Sequence, residues 1–144
     1  MDILKLLEIL VEFDTVNDPE SGKFPDPGVV DFVEGVLNGL GVKTKVLVSH
    51  GYRSVVGIIG SGEPRVLLLA HLDVVPFVRN EWRFEPLRLT VEGDLAYGRG
   101  ALDDKGNVAA VLRALRTWSV LTGVPSWWPS PRMRRLVVRM GLGS

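Results

Sequence analysis

The run Val66–Ala70 (VLLLA) constrains the fold of this chain more than any other stretch. It places five apolar residues in a row, ends on His71, and is followed two positions later by Asp73. A short apolar run bounded by polar and proline residues reads as a buried strand. Side chains at i and i+2 of a strand share a face. His71 and Asp73 are therefore expected side by side at the strand's end, with the carboxylate orienting the imidazole. That pairing is the usual support for a metal-binding histidine.

A second marked stretch lies about thirty residues on. Gly98-Arg99-Gly100 leads into Ala101-Leu102-Asp103-Asp104-Lys105-Gly106. The glycines let the backbone approach closely or take positive φ, and a helix is expected to open near Asp104, its positive dipole end toward an acidic pocket. Its apolar positions, Val108, Val111, Leu112, Leu115 and Trp118, recur at helical spacing and read as core. Two carboxylates and a histidine from separate elements could then converge on one divalent cation.

The rest of the chain supplies the frame. Residues 2–13 carry one apolar face at helical spacing, and a polar loop follows from Asp14 to Phe24, with no residue assigned a role. Asp26–Pro27 opens a second helix, which Gly41 is expected to close. Lys43–Val48 reads as an edge strand and Ser54–Ile59 as a second strand. Gly60-Ser61-Gly62 turns the chain into the central strand, Arg65–Ala70. Trp82–Gly98 reads as a hairpin turning at Gly93, and His50 as a solvated loop residue. This order predicts an α/β sheet flanked by helices, with the chemistry beyond the carboxyl ends of the strands.

HLDVVP, Trp82 and YGRGALDDKG, in that order, resemble the signature of the M20 metallopeptidases, a family of di-zinc amide hydrolases. The similarity runs from the N-terminal helix to about Gly123. It implies a partial zinc-peptidase-like catalytic domain with a mixed sheet. By the same resemblance His71 would ligate one zinc, Asp103 would bridge two, Asp73 would act in catalysis by orienting His71, and the Asp103–Asp104 peptide would be cis. Cobalt suits the same ligands. The implied substrate is a small N-acyl amino acid or peptide. The family's general base is the first Glu of an Asp-Glu-Glu run, and a further carboxylate and a distant histidine complete the site. This chain has no Asp or Glu beyond Asp104 and no third histidine. The expectation is a fragment of a metal-dependent amide hydrolase, inactive alone.

Composition bounds the alternatives. With 46% hydrophobic residues the chain suits one compact domain. It has no cysteine, so thiolate ligands and disulfides are excluded. Met1 to Val11 is amphipathic and carries Asp2, Lys5 and Glu8, unlike a signal peptide, and no apolar run approaches a membrane span. A soluble cytoplasmic protein is expected, with no membrane partner. Net charge is zero, yet residues 1–104 hold ten Lys/Arg against seventeen Asp/Glu, and residues 105–144 hold seven Lys/Arg and no acid. The division expected is 1–123 as the N-terminal part of a catalytic domain and 124–144 as an irregular basic tail. Such a tail raises two rivals: a nucleic-acid-binding module, ranked last, and one subunit of a split hydrolase. A third account is a shifted reading frame. Trp127, Trp128 and Met133 have single codons, and starting each codon one base earlier permits Val-Ala-Leu-Thr-x-Asp-Glu-Glu-Val-Gly-Gly, the run otherwise missing.

Overall fold

A computed structural model of the chain describes residues 1–122 and 134–142. Helix α1 spans Ile3–Glu12 and is opened by Asp2, whose carboxylate accepts the amide of Lys5 at 2.8 Å. Its buried stripe is Leu6, Leu7, Leu10 and Val11, while Ile3, the first residue of the helix, is exposed. Helix α2 spans Gly28–Gly39, with Asp26 accepting the amide of Gly28 and Pro27 at the cap. Gly41 ends it as expected, at φ 74, its amide bonded to the carbonyl of Asn38.

Strands β1 (Lys43–Ser49), β2 (Tyr52–Ile59) and β3 (Ser61–His71) follow. A small hairpin pairs β4 (Thr90–Glu92) with β5 (Leu95–Tyr97) around Gly93, at φ 60. Helix α3 spans Lys105–Thr122, and β6 spans Arg134–Gly141. The main sheet has the order β1-β2-β6-β3: β1, β2 and β6 are antiparallel in turn, while β6 and β3 run parallel. The mixed α/β architecture is thus the one expected.

Two expectations are corrected. The Arg65–Ala70 strand is not central and not fully buried: β3 lies at the sheet edge, and Val66, Leu67 and Leu69 are exposed. Only the face carrying Leu68 and Ala70 packs on the core, so an unbroken apolar run here marks an apolar face on each side rather than cover on each side. The other correction concerns the tail expected to be irregular. Residues 134–141 form β6 and fill the slot between β2 and β3, because Leu136, Val138 and Met140 alternate onto the helix-covered face. Arginines between and before them hid that period. The proposed boundary at 123/124, and Trp127, Trp128 and Met133, lie outside the described residues.

The core sits between the sheet and the three helices, with Leu10, Val33, Leu37, Val55, Ile59, Leu72, Leu112 and Val138 fully buried or nearly so. Among the described residues no helix is long and apolar enough to cross a membrane.

Candidate metal and catalytic site

The site forms where β3 ends beside the start of α3. His71 is the last residue of β3, and two contacts hold the backbone there. The amide of His71 donates to Asp104 Oδ2 at 3.1 Å, and the carbonyl of Leu72 accepts the hydroxyl of Thr15 at 2.7 Å. Asp104 is nearly buried, and its other oxygen accepts the side-chain amide of Asn107. Asp104 therefore ties the first turn of α3 to the end of β3, and Asp103 beside it is left facing the imidazole. The Asp103–Asp104 peptide is cis, as the resemblance implied.

The imidazole is held at both nitrogens. Nδ1 lies 3.0 Å from the carbonyl oxygen of Asp73 and must donate to it, because a carbonyl only accepts. Nε2 lies 3.0 Å from Asp103 Oδ1, although the two residues are 32 positions apart. His71, Asp73 and Asp103 thus meet, as the sequence predicted. The expected orienting role of the Asp73 carboxylate is modified: the backbone carbonyl makes the contact, and the carboxylate stands 3.6 Å from Nδ1. Strand β3 ends at His71, so the alternation that would set the two side chains on one face no longer binds Asp73.

Burial works against protonation of His71, but the bond to the Asp73 carbonyl, the bond to Asp103 and the charges of Asp104 and Asp73 outweigh it. Its pKa is raised. Without a proton on Nε2, a lone pair would face a carboxylate oxygen. A proton or a cation relieves that repulsion, and the two compete for one place.

The donor set suits zinc in kind: one imidazole nitrogen and one carboxylate oxygen. Their 3.0 Å separation is close to the ~3.4 Å between two donors on a tetrahedral zinc with bonds of about 2.0–2.1 Å. Among the described residues, however, no group of three or more His, Cys, Asp or Glu side chains converges on one point. The residues present fit a metal as two of its ligands.

The pair opens into a cavity of about 400 Å³, lined by Asn17, Asp73, Val75, Trp82, Arg99, Gly100 and Leu102 among others. Arg99 shapes its wall: its guanidinium donates to the carbonyls of Val75 and Pro76 and stands 6.0 Å from the ring centres of both Phe77 and Trp82. Gly100, at φ 80, brings the backbone so close that an added Cβ would lie 2.8 Å from Val74 Cγ1. Lys105 is wholly buried, and its ammonium donates to the carbonyl of Phe13 at 2.9 Å. It fastens the first turn of α3 to the end of α1.

Sequence reasoning missed Asn17, Thr15 and Lys105 as parts of this site. It set Asp104 beside Asp103 as a second carboxylate for the cation, whereas both Asp104 oxygens are taken, by the His71 amide and the Asn107 side chain. Lys105 stands in the same motif, a usable signal. Thr15 and Asn17 lie in the loop to which no role was assigned. His50 remains an exposed turn residue, at φ 50, with the Ser49 hydroxyl 3.0 Å from Nδ1.

Known proteins resemble this chain in sequence and in fold. Residues 67–125 match the sequence profile of Peptidase family M20/M25/M40. The succinyl-diaminopimelate desuccinylase of Orientia tsutsugamushi (strain Ikeda) is 32% identical over 118 residues, which cover 78% of this chain and 29% of that protein. The acetylornithine deacetylase of Pasteurella multocida is 34% identical over 90 residues, or 60% of this chain and 24% of that protein. Among solved structures, an M20 family metallo-carboxypeptidase from Sulfolobus solfataricus superposes with a TM-score of 0.73 at 25% identity, over 98% of this chain and 30% of that one. Human carnosine dipeptidase 1 shares the fold, with a TM-score of 0.72 at 22% identity, over 97% of this chain and 31% of that one. The chain thus spans less than a third of the length of these relatives. In motif, fold and relatives this chain is similar to peptidase family M20/M25/M40, whose profile it matches over residues 67–125.

Proposed function

We propose that this chain is the part of an M20-type amide hydrolase that supplies His71 and Asp103 to a metal centre, and that the complete enzyme cleaves N-acyl amino acids or small peptides. The observation that carries this reading is the 3.0 Å approach of His71 Nε2 to Asp103 Oδ1 at the mouth of a cavity. The names of the relatives support the substrate class. Zinc is the metal proposed, with cobalt a workable substitute. A bound zinc supplies Lewis acidity toward a carbonyl and a water of lowered pKa.

This chain's own residues do the following. Asp73 accepts the Nδ1 proton of His71 through its carbonyl, which leaves Nε2 as the nitrogen with a lone pair to give. Asp104 fixes the backbone of His71, and Asp103 presents a carboxylate oxygen to the same point. Trp82 and Arg99 wall the cavity that would receive the substrate. No acid lies beyond Asp104 in the sequence to serve as the base that the family places in its Asp-Glu-Glu run. The chain by itself is therefore proposed to bind metal weakly and to lack turnover.

One observation favours a second reading, a subunit of a split hydrolase: the edge strand β3 leaves Leu67 and Leu69 open beside His71. Nucleic-acid binding by the basic tail is not proposed, because Leu136, Val138 and Met140 are committed to the core.

The test is titration of the purified chain with zinc and, separately, cobalt, followed by calorimetry and visible absorption. One metal should bind, His71→Ala and Asp103→Asn should each abolish the binding, and N-acyl amino acids should be hydrolysed no faster than by His71→Ala. Cobalt binding unchanged in both variants would sink the metal reading. Metal-dependent turnover by the chain alone would show that its base lies among its own residues.

A further inference from the structure

The loop after α1 carries a side chain wired directly into the site. Asn17 sits where the chain briefly pairs with the segment beyond β3: Val16 bridges Val74, and the amide of Asn17 donates to the carbonyl of Val74 at 2.9 Å. That pairing fixes its backbone. Its side chain spans two further groups. Nδ2 donates to Asp73 Oδ2 at 2.9 Å, and Oδ1 accepts the hydroxyl of Tyr52 at 3.0 Å. The carboxylate dictates this orientation, since a flipped amide would set one oxygen against another. Tyr52, at the start of β2, is itself placed by Phe24, whose ring centre lies 6.2 Å away.

We propose that Asn17, backed by Tyr52, is the positioning residue that sets the orientation of the His71 imidazole. The Asp73 carboxylate stands 3.6 Å from Nδ1, one small rotation from taking over its proton. Asn17 holds Oδ2, so the carboxylate stays put and Nδ1 donates to the Asp73 carbonyl instead. Freed of Asn17, the carboxylate has two ways to move. It can turn onto Nδ1 and tilt the ring, or turn into the cavity toward the point where Nε2 and Asp103 meet. Either motion spoils the alignment of Nε2 with Asp103 Oδ1. The chain Tyr52–Asn17–Asp73–His71 thus runs from the β1–β2 hairpin to the metal-facing nitrogen. Groups behind a metal ligand typically change its affinity 10–100-fold when removed.

This inference rests on the metal-site reading only for its second readout, and the experiment separates the two. The first readout is the nitrogen-15 chemical shifts of the His71 ring in the metal-free chain, which report the hydrogen bonds made at Nδ1 and Nε2. The wild-type chain should show one sharp set of ring shifts. Asn17→Ala should move or broaden them, because the partner at Nδ1 and the alignment at Nε2 both change. The second readout is cobalt affinity, expected to fall about tenfold in Asn17→Ala and by a smaller factor in Tyr52→Phe, which keeps the ring against Phe24. Asn17→Asp, of the same shape but with no donor for Asp73, should behave like Asn17→Ala, whereas a packing role alone would leave it like wild type. Circular dichroism and thermal unfolding check each variant's fold. If Asn17→Ala does not fold, Asn17→Asp and Tyr52→Phe carry the comparison. Unchanged ring shifts in the folded variants overturn the proposal whatever the metal does. Altered shifts with no cobalt binding in the wild type would uphold Asn17 and overturn the metal reading instead.

Discussion

Lys105 offers the sharpest quantitative test of the structure. Among the described residues it is the largest wholly buried side chain, and its one hydrogen-bond partner there is the carbonyl of Phe13. Burial, with Arg99 adding to it and Asp14 opposing, pushes its pKa down from 10.5 to about 8. Below pH 8 both the folded and the unfolded chain carry the charge, and the folded state bears its desolvation. Between pH 8 and 10.5 the folded chain has lost the proton and the unfolded chain still binds it, so stability rises with pH. The full difference is about 3 kcal/mol at 1.36 kcal/mol per pKa unit, present above pH 10.5 and lost as the pH falls through 8.

The perturbation is Lys105→Met, which keeps an apolar stem against Gly100 and removes the charge. At pH 7 the variant gains by shedding the buried ammonium and loses about 1–3 kcal/mol by leaving the Phe13 carbonyl without its donor. The two nearly cancel. Urea unfolding of both proteins at pH 7, 8, 9 and 10 gives the difference in unfolding free energy, in which the other lysines and tyrosines drop out. Wild type should gain on the variant by roughly 2–3 kcal/mol between pH 7 and 10. A difference flat across that range would refute the reasoning. It would mean that water reaches the ammonium and that Lys105 is not a buried charge.

Other outcomes follow from single contacts. Gly100→Ala forces a side chain into φ 80 and against Val74 and Lys105, and should lower stability by about 2–4 kcal/mol in thermal unfolding. A loss under about 0.5 kcal/mol would mean the turn relaxes. In β6, Val138→Asp places a charge in the core and should unfold the chain, whereas Val137→Asp, on the other face of the same strand, should cost less than about 1 kcal/mol. Equal effects by circular dichroism would remove β6 from the sheet. The nucleotide sequence around codons 122–138, read one base earlier, is expected to spell an Asp-Glu-Glu run. Stop codons in that frame refute the shift and leave β6 as a strand the gene encodes for its own sake.

The parts of this protein legible in its sequence were those written in one local pattern. The stripe Leu6, Leu7, Leu10, Val11 gave α1, and Gly93 between apolar arms gave the β4–β5 turn. The meeting of His71 with Asp103 was legible because both stand in motifs whose chemistry demands a partner. What depended on the rest of the fold was not. Whether the VLLLA strand is central or at the edge is decided by the strand that pairs with it, and β6 arrives some seventy residues later. The Asp73 carbonyl displaced its carboxylate as the partner of His71 because β3 ends at His71, and the i, i+2 rule holds only within a strand. Asn17 reaches Asp73 across 56 positions, and Lys105 reaches Phe13 across 92. Such long-range polar contacts leave no periodic trace.

The place of β6 bears on how the chain is made. Strands β2 and β3 are consecutive in sequence, yet they are not neighbours in the sheet; the slot between them is filled from residues 134–141. A ribosome delivers β2 and β3 first and must extend the chain by more than sixty residues before their shared partner emerges. Throughout that interval two strand edges stand unpaired, one of them the apolar run ending at His71, and both invite pairing with another chain. The sheet cannot close by local contacts, so its assembly is slow for a chain of this size. Nascent chains arrested before residue 134 should therefore be chaperone clients, with β3 as the segment that chaperones grip.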